Sequence, residues 1–383
     1  INTMCPIILR IGGKEGSQFE DDVIDFISRA IKICSDEPSQ ITGDDNYIDI
    51  IHHAINWTVG KAAEIALQFQ IIISPKYTDG LHEKIKPVFE QIMNNAGKTG
   101  NDGRAMLATR AVDLYLLDKE WAKTHIIPHF MSKDDQIKQA MWTGFLWSGG
   151  RWTPDFIELV SDELLTLHNK KWITAERYFE YYTSVVIDIY LADISVFTNP
   201  ELQVCIRETE SEYRKYFIYI LCERMEVATN KTVFWQKKVK PFFDNVFPKD
   251  MSIKCNPNLG EYYLRIILSA EDEFEDALKT LGRHMVFEKK DIYFLHRELR
   301  KLTGQKDGNA TTDDNSDAAK TGFNYVKAFP ESSLKLLGLL PLKESHMRDD
   351  TVNMLRDMLD VFRENNLHDT PDYIKIKDIL DRK

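Results

Sequence analysis

Three short phrases in this chain share one pattern: a β-branched residue, any residue, proline, any residue, phenylalanine. They are Ile85-Lys86-Pro87-Val88-Phe89, Ile126-Ile127-Pro128-His129-Phe130 and Val239-Lys240-Pro241-Phe242-Phe243. A bulky apolar residue stands six or seven positions before each proline: Leu81, Trp121 and Trp235. Each phrase lies in an apolar pattern of helical period, where a proline removes a backbone hydrogen bond and kinks the helix. Bent helices that recur in this way are what stacked helix-pair repeats use to curve a solenoid. The bland alternative is chance recurrence of a degenerate pattern.

The rest of the chain agrees with an all-α architecture of stacked antiparallel helices, a HEAT-like helical-repeat solenoid. Phe19, Val23, Phe26, Ile27, Ala30 and Ile31 repeat at helical spacing, and residues 47–73 form a longer apolar-rich stretch. Further helices are expected at about 80–95, 102–117, 118–130, 133–147, 153–168, 174–197, 200–226 and 231–246. After these come about 257–270, 271–287, 290–302, 331–340, 348–364 and 371–382. Ser132, Thr153 and Thr370 mark helix starts, the last two followed by proline at the first helical position. Only residues 1–11 hint at a strand. The polar run from Gly304 to Lys320 has no large apolar residue and reads as a flexible linker. This divides the chain into a helical-repeat region at 1–302, a linker at 303–320 and a small C-terminal helical cap at 321–383.

Composition bounds the function. With 43% hydrophobic and 11% aromatic residues the chain builds a large core. A net charge of −11 argues against general nucleic-acid binding, which needs clustered Lys and Arg. The five cysteines are scattered and form no C-x-x-C pair, the usage of a reducing cytoplasm. The best membrane-span candidate, Val185 to Phe197, is interrupted by Asp188 and Asp193, so no membrane partner is expected. The chain begins at Ile1 in an apolar stretch and reads as a piece of a longer polypeptide, a trimmed tag being the innocent alternative.

Candidate chemistry is sparse. Asp313, Asn315 and Asp317 open like a calcium loop, but Ala318 stands where glycine is needed and Asn324 where a bidentate glutamate belongs. His125 and His129 have the i, i+4 spacing of a zinc pair without an evident third ligand, and Pro128 distorts the turn between them. Arg363 and His368 match the loose Arg-x-x-x-x-His spacing of a class of small helical ribonucleases, in which they would steady and protonate a phosphodiester. The glycine pairs Gly12-Gly13 and Gly149-Gly150 fit turns better than phosphate loops. No cofactor or metal is expected.

The segment from Met141 to Trp152 is the exception, with Trp142, Trp147 and Trp152 around Arg151 at a helix end. It reads either as an aromatic-packed corner or as a recognition surface. Trp and Arg are enriched among binding hot spots, and Trp147, Arg151 and Trp152 are the partner-binding candidates. A second aromatic stretch, Arg177 to Tyr182, poses the same choice.

The run Trp121 to Leu165, through its phrases Trp121 to Phe130 and Ala140 to Ser148, resembles an uncharacterised helical domain, as do the proline-containing segment Trp235 to Phe247, Glu275-Asp276-Ala277-Leu278 and Phe329 to Leu337 in the tail. That domain lies at the C-terminal end of bacterial sirtuin-like antiphage defence proteins. The family pattern expects an arginine soon after Trp147-Ser148; here Arg151 follows two glycines later. The resemblance implies a cytoplasmic sensor or scaffold, with an NAD-consuming effector domain outside this chain. It implies as partner a neighbouring domain of the same polypeptide or another protein, a phage protein among the candidates, with oligomers formed through the parent. A general interaction scaffold without an immune role is the third reading.

Overall fold

The computed structural model describes residues 18–35, 50–173, 176–287, 292–305, 322–343 and 347–382. Among them the fold is all-α, and no β-strand occurs. The calcium-like residues, most of the 303–320 linker and the N-terminal stretch lie outside the described residues. The chain divides into two compact units, Ile1–Thr198 and Asn199–Lys383, so the division falls about a hundred residues before the polar run that marked the expected boundary.

In the first unit the helices are α1 (Gln18–Ser35), α2 (Ile50–Ala54), α3 (Thr58–Ile73), α4 (Lys86–Asn94), α5 (Gly97–Ala108) and α6 (Ala111–Leu117). They continue as α7 (Lys119–His125), α8 (Ile127–Phe130), α9 (Asp135–Trp147), α10 (Pro154–Leu164) and α11 (Glu176–Leu191). The hub is α5, which packs on α2, α3, α4 and α9. Close approach is possible because α9 presents Gly144 to it: a Cβ there would lie 2.0 Å from the Ala105 carbonyl oxygen. The hub also carries buried polar side chains. Arg104, 4% exposed, donates from Nε to the Met93 carbonyl at 2.9 Å, from one terminal nitrogen to Asn101 Oδ1 at 2.8 Å and from the other to the Asn95 carbonyl. It thereby satisfies carbonyls left open at the end of α4. Beside it, Asp102 accepts from or shares a proton with His53 Nδ1 at 2.8 Å, and burial pushes its carboxyl up to about 6 against the opposing effect of that imidazole.

The second unit comprises α12 (Asn199–Glu208), α13 (Ser211–Val227), α14 (Lys231–Phe234), α15 (Met251–Lys254), α16 (Gly260–Ile267) and α17 (Phe274–Leu281). It ends with α18 (Ile292–Leu302), α19 (Tyr325–Ala328), α20 (Pro330–Leu339), α21 (Asp349–Glu364) and α22 (Pro371–Asp381). The C-terminal helices pack within this unit, α20 against α17 and α21 against α18. Arg265 on α16 clamps Glu226 of α13 through two contacts at 2.5 and 3.1 Å and reaches Glu223 at 2.6 Å. Lys301 of α18 joins Glu226 at 3.2 Å. Burial alone would raise the Glu226 carboxyl, yet Arg265 and Lys301 hold it below the usual glutamate range.

The proline phrases share a packing role. Their β-branched residues Ile85, Ile126 and Val239 and their phenylalanines Phe89, Phe130 and Phe243 are all buried, as are Leu81, Trp121 and Trp235. Both tryptophans donate their indole N–H to a carboxylate, Trp121 to Glu90 at 2.9 Å and Trp235 to Asp276 at 2.8 Å. The expected mid-helix kink is corrected in two cases. Pro87 and Pro128 sit in the first turn of α4 and α8, where no amide donor is required. Pro241 alone lies inside a continuing helical path, between π-helical turns Trp235–Val239 and Phe242–Val246.

Several expected helices are also split. The stretch 118–130 breaks at Ile126, 102–117 breaks between α5 and α6, and 200–226 breaks at Thr209-Glu210. Arg214 spans that last break, donating to the carbonyls of Ile206, Arg207 and Thr209 as Arg104 does after α4. Thr153 and Thr370 cap as expected. Ser132 is displaced from that role by Asp134, whose Oδ1 accepts from the amides of Gln136 and Ile137.

His284 in the second unit gives the fold a directional pH dependence. Burial, then Lys254 and Arg283, pull its imidazole down from 6.5 to about 4. Between those values the unfolded chain binds the proton and the folded chain does not, so stability is lost as pH falls through the window. The loss reaches roughly 2–3 kcal/mol by pH 4. Denaturant titrations at pH 7 and pH 4.5 are expected to show a smaller acid loss in His284→Gln than in the wild type. In the first unit His129, also pulled down to about 4 by burial, Arg104 and His125, acts in the same sense, while Asp102 opposes it.

Candidate functional site at the Trp147–Arg151 corner

The apolar positions of α9 turn inward as their period requires. Trp142, Phe145 and Leu146 are buried, and the Trp142 indole N–H donates to the Phe130 carbonyl at 3.0 Å. Phe130, Trp142, Phe145 and Phe156 form one cluster of edge-on and stacked rings. The second aromatic stretch is also core: Tyr178, Phe179 and Tyr182 are buried in α11.

After Trp147 the helix ends in a two-glycine turn. The Ser148 hydroxyl and the Gly150 amide both donate to the Phe145 carbonyl, at 2.8 and 3.1 Å. Gly149 and Gly150 both have positive φ, +86° and +57°, which favours glycine. A Cβ on Gly150 would also meet Val185 at 2.3 Å, while Gly149 faces open space. The turn leaves Arg151 exposed and Trp147 and Trp152 half-buried.

Trp147 and Arg151 line a cavity of about 240 Å³ with Ser148, Phe145 and the α5–α6 joint from Ala108 to Asp113. Arg110 pairs with Asp113 at 3.3 Å, and the Tyr77 hydroxyl donates to the other Asp113 oxygen at 2.6 Å. That hydrogen bond, with burial, raises the Tyr77 phenol, while Arg151 and Arg110 act against the shift. Among the described residues Arg151 has no ion pair. The corner thus offers one unpaired guanidinium, the Arg110–Asp113 ion pair and the Trp147 side chain around the recess, a set that suits a carboxylate flanked by an apolar group. Trp152 does not line the cavity. Sequence reasoning missed Arg110 and Asp113 at the start of α6 and Tyr77, which bonds Asp113 from a separate segment; the Arg110-x-x-Asp113 spacing was the one local cue.

The other candidates do not assemble a site. Arg363 pairs with Asp360 at 3.1 Å and reaches the Tyr373 hydroxyl at 3.3 Å, whereas His368 faces Asp369 at 3.5 Å. His125 stacks on Trp121 and faces Glu90 at 3.6 Å. No group of three His, Cys, Asp or Glu poised for a metal occurs among the described residues. A larger cavity of about 490 Å³ in the second unit is lined by charges of both signs, among them His296, Arg300, Lys327, Asp350 and Asp357. No described helix is long and apolar enough to cross a membrane. Comparison with family models, with curated proteins and with solved structures gave no match.

Proposed function

We propose that the chain is a non-catalytic helical binding module that engages a protein partner through the Trp147–Arg151 corner. The observation that carries this reading is an exposed arginine, unpaired among the described residues, beside a half-buried tryptophan at the mouth of a recess. Such a pair supplies both a charge-assisted donor fork and an apolar platform, the composition of a binding hot spot. The partner would present an acidic side chain next to an apolar one, on another protein or on a neighbouring domain of the same polypeptide. The placement of this module in a cytoplasmic antiphage defence protein, restraining an NAD-consuming domain, is supported by the family resemblance of residues 121–148 and the tail.

The ribonuclease alternative at Arg363 and His368 draws little support from geometry, because each side chain is turned toward a different acidic neighbour. Incubation of the purified chain with RNA and with NAD tests both enzymatic possibilities; turnover of either that disappears in Arg363→Ala or His368→Ala would replace the binding reading. For the binding reading, Arg151→Ala is expected to weaken partner affinity by about 2 kcal/mol, roughly thirtyfold, with the thermal transition unchanged. Isothermal titration against the captured partner measures it.

A further inference from the structure

Four cysteines lie among the described residues, and three of them are packed away. Cys34, Cys205 and Cys222 are buried, and burial raises the Cys222 thiol far above its ordinary value. Cys255 differs in exposure and in company. It is half-buried at the end of α15, and its Sγ lies 3.8 Å from Nδ1 of His284.

The histidine is oriented by a second contact. Arg283 Nε donates to His284 Nε2 at 3.1 Å, so Nε2 must hold a lone pair there. In the neutral ring the proton is then on Nδ1, the nitrogen that faces sulfur. The imidazole therefore acts as a donor toward Cys255, and a thiolate is a much better acceptor than a thiol. Two cations, Lys254 and Arg283, act on the imidazole and disfavour its protonated form. The phenol of Tyr263, buried on α16, is raised by burial and then by Cys255.

We propose that Cys255 is a modification site for small disulfides, with His284 and Arg283 as positioning residues. The Cys255 thiolate attacks one sulfur of the disulfide, forming a new S–S bond as the original S–S bond breaks. The electron pair leaves on the second sulfur, which departs as a thiolate and takes up a proton from water. No oxidant beyond the disulfide itself is consumed.

The test uses the full chain, a pyridyl disulfide as probe, release of the pyridinethione chromophore as the rate, and peptide mass spectrometry as the assignment. Cys255 is expected to react at least about tenfold faster than Cys34, Cys205 and Cys222. Exposure alone would give that ranking, so the deciding readout is the dependence on its neighbours. Arg283→Gln, a change at an exposed position, is expected to slow Cys255 about threefold or more by freeing the imidazole tautomer. His284→Gln should slow it as well while leaving the probe's reaction with free cysteine unchanged. A Cys255 rate that is no faster than that of the buried thiols overturns the proposal. So does a rate unaffected by Arg283→Gln in a variant whose helical circular dichroism matches the wild type.

Discussion

Replacing Arg104 by alanine is expected to destabilise the first unit by about 3–5 kcal/mol, a loss large enough to unfold a marginal domain. The side chain is 4% exposed and serves two backbone carbonyls and the Asn101 side chain. Its removal leaves buried acceptors without donors, at about 1–3 kcal/mol each, and opens a void beside the hub helix. Burial lowers the Arg104 pKa, so the guanidinium itself is held at a desolvation cost, which trims the total. Arg104→Met fills most of the volume and restores no donor. If Met loses nearly as much as Ala in urea titrations, the hydrogen bonds dominate. A loss under about 1 kcal/mol for Arg104→Ala would show that α4 and α5 do not depend on this cap.

The two tryptophans of α9 are expected to part company. Trp142→Ala removes a fully buried ring together with its hydrogen bond to the Phe130 carbonyl, and should cost about 4 kcal/mol. Trp147→Ala, at a half-buried position on the cavity wall, should cost about 1 kcal/mol or less. Thermal unfolding of the two variants side by side measures the contrast. Equal, large losses would make the corner part of the core and remove the tryptophan from the binding reading.

The architecture was legible in the sequence because helical periodicity is a local signal: most apolar positions of α9, α11 and α21 are buried. Threonine–proline starts at α10 and α22 were equally readable, since a cap is decided within four residues. The helix breaks were not. A proline at the first turn and a proline inside a helix look alike in sequence. The difference at Ile126 lies in whether the preceding turn closes its own hydrogen bonds. The division into the units Ile1–Thr198 and Asn199–Lys383 is not announced by composition as a polar run is; it depends on which helices share a core. The candidate site was half legible. Trp147 and Arg151 stand close in sequence, but the recess they border is completed by Arg110 and Asp113, brought to them only by folding, and Tyr77 bonds Asp113 from a third segment.

The proposed binding role of the Trp147–Arg151 corner rests on two side chains carried by a helical scaffold. Affinity capture from the source cells with the wild-type chain and with the Trp147→Ala/Arg151→Ala double variant, read by quantitative mass spectrometry, tests it most directly. At least one protein is expected to be enriched by the wild type and reduced about tenfold or more with the double variant, while the variant keeps the wild-type circular-dichroism spectrum and thermal midpoint within a few degrees. Identical capture profiles from two equally folded chains would contradict it.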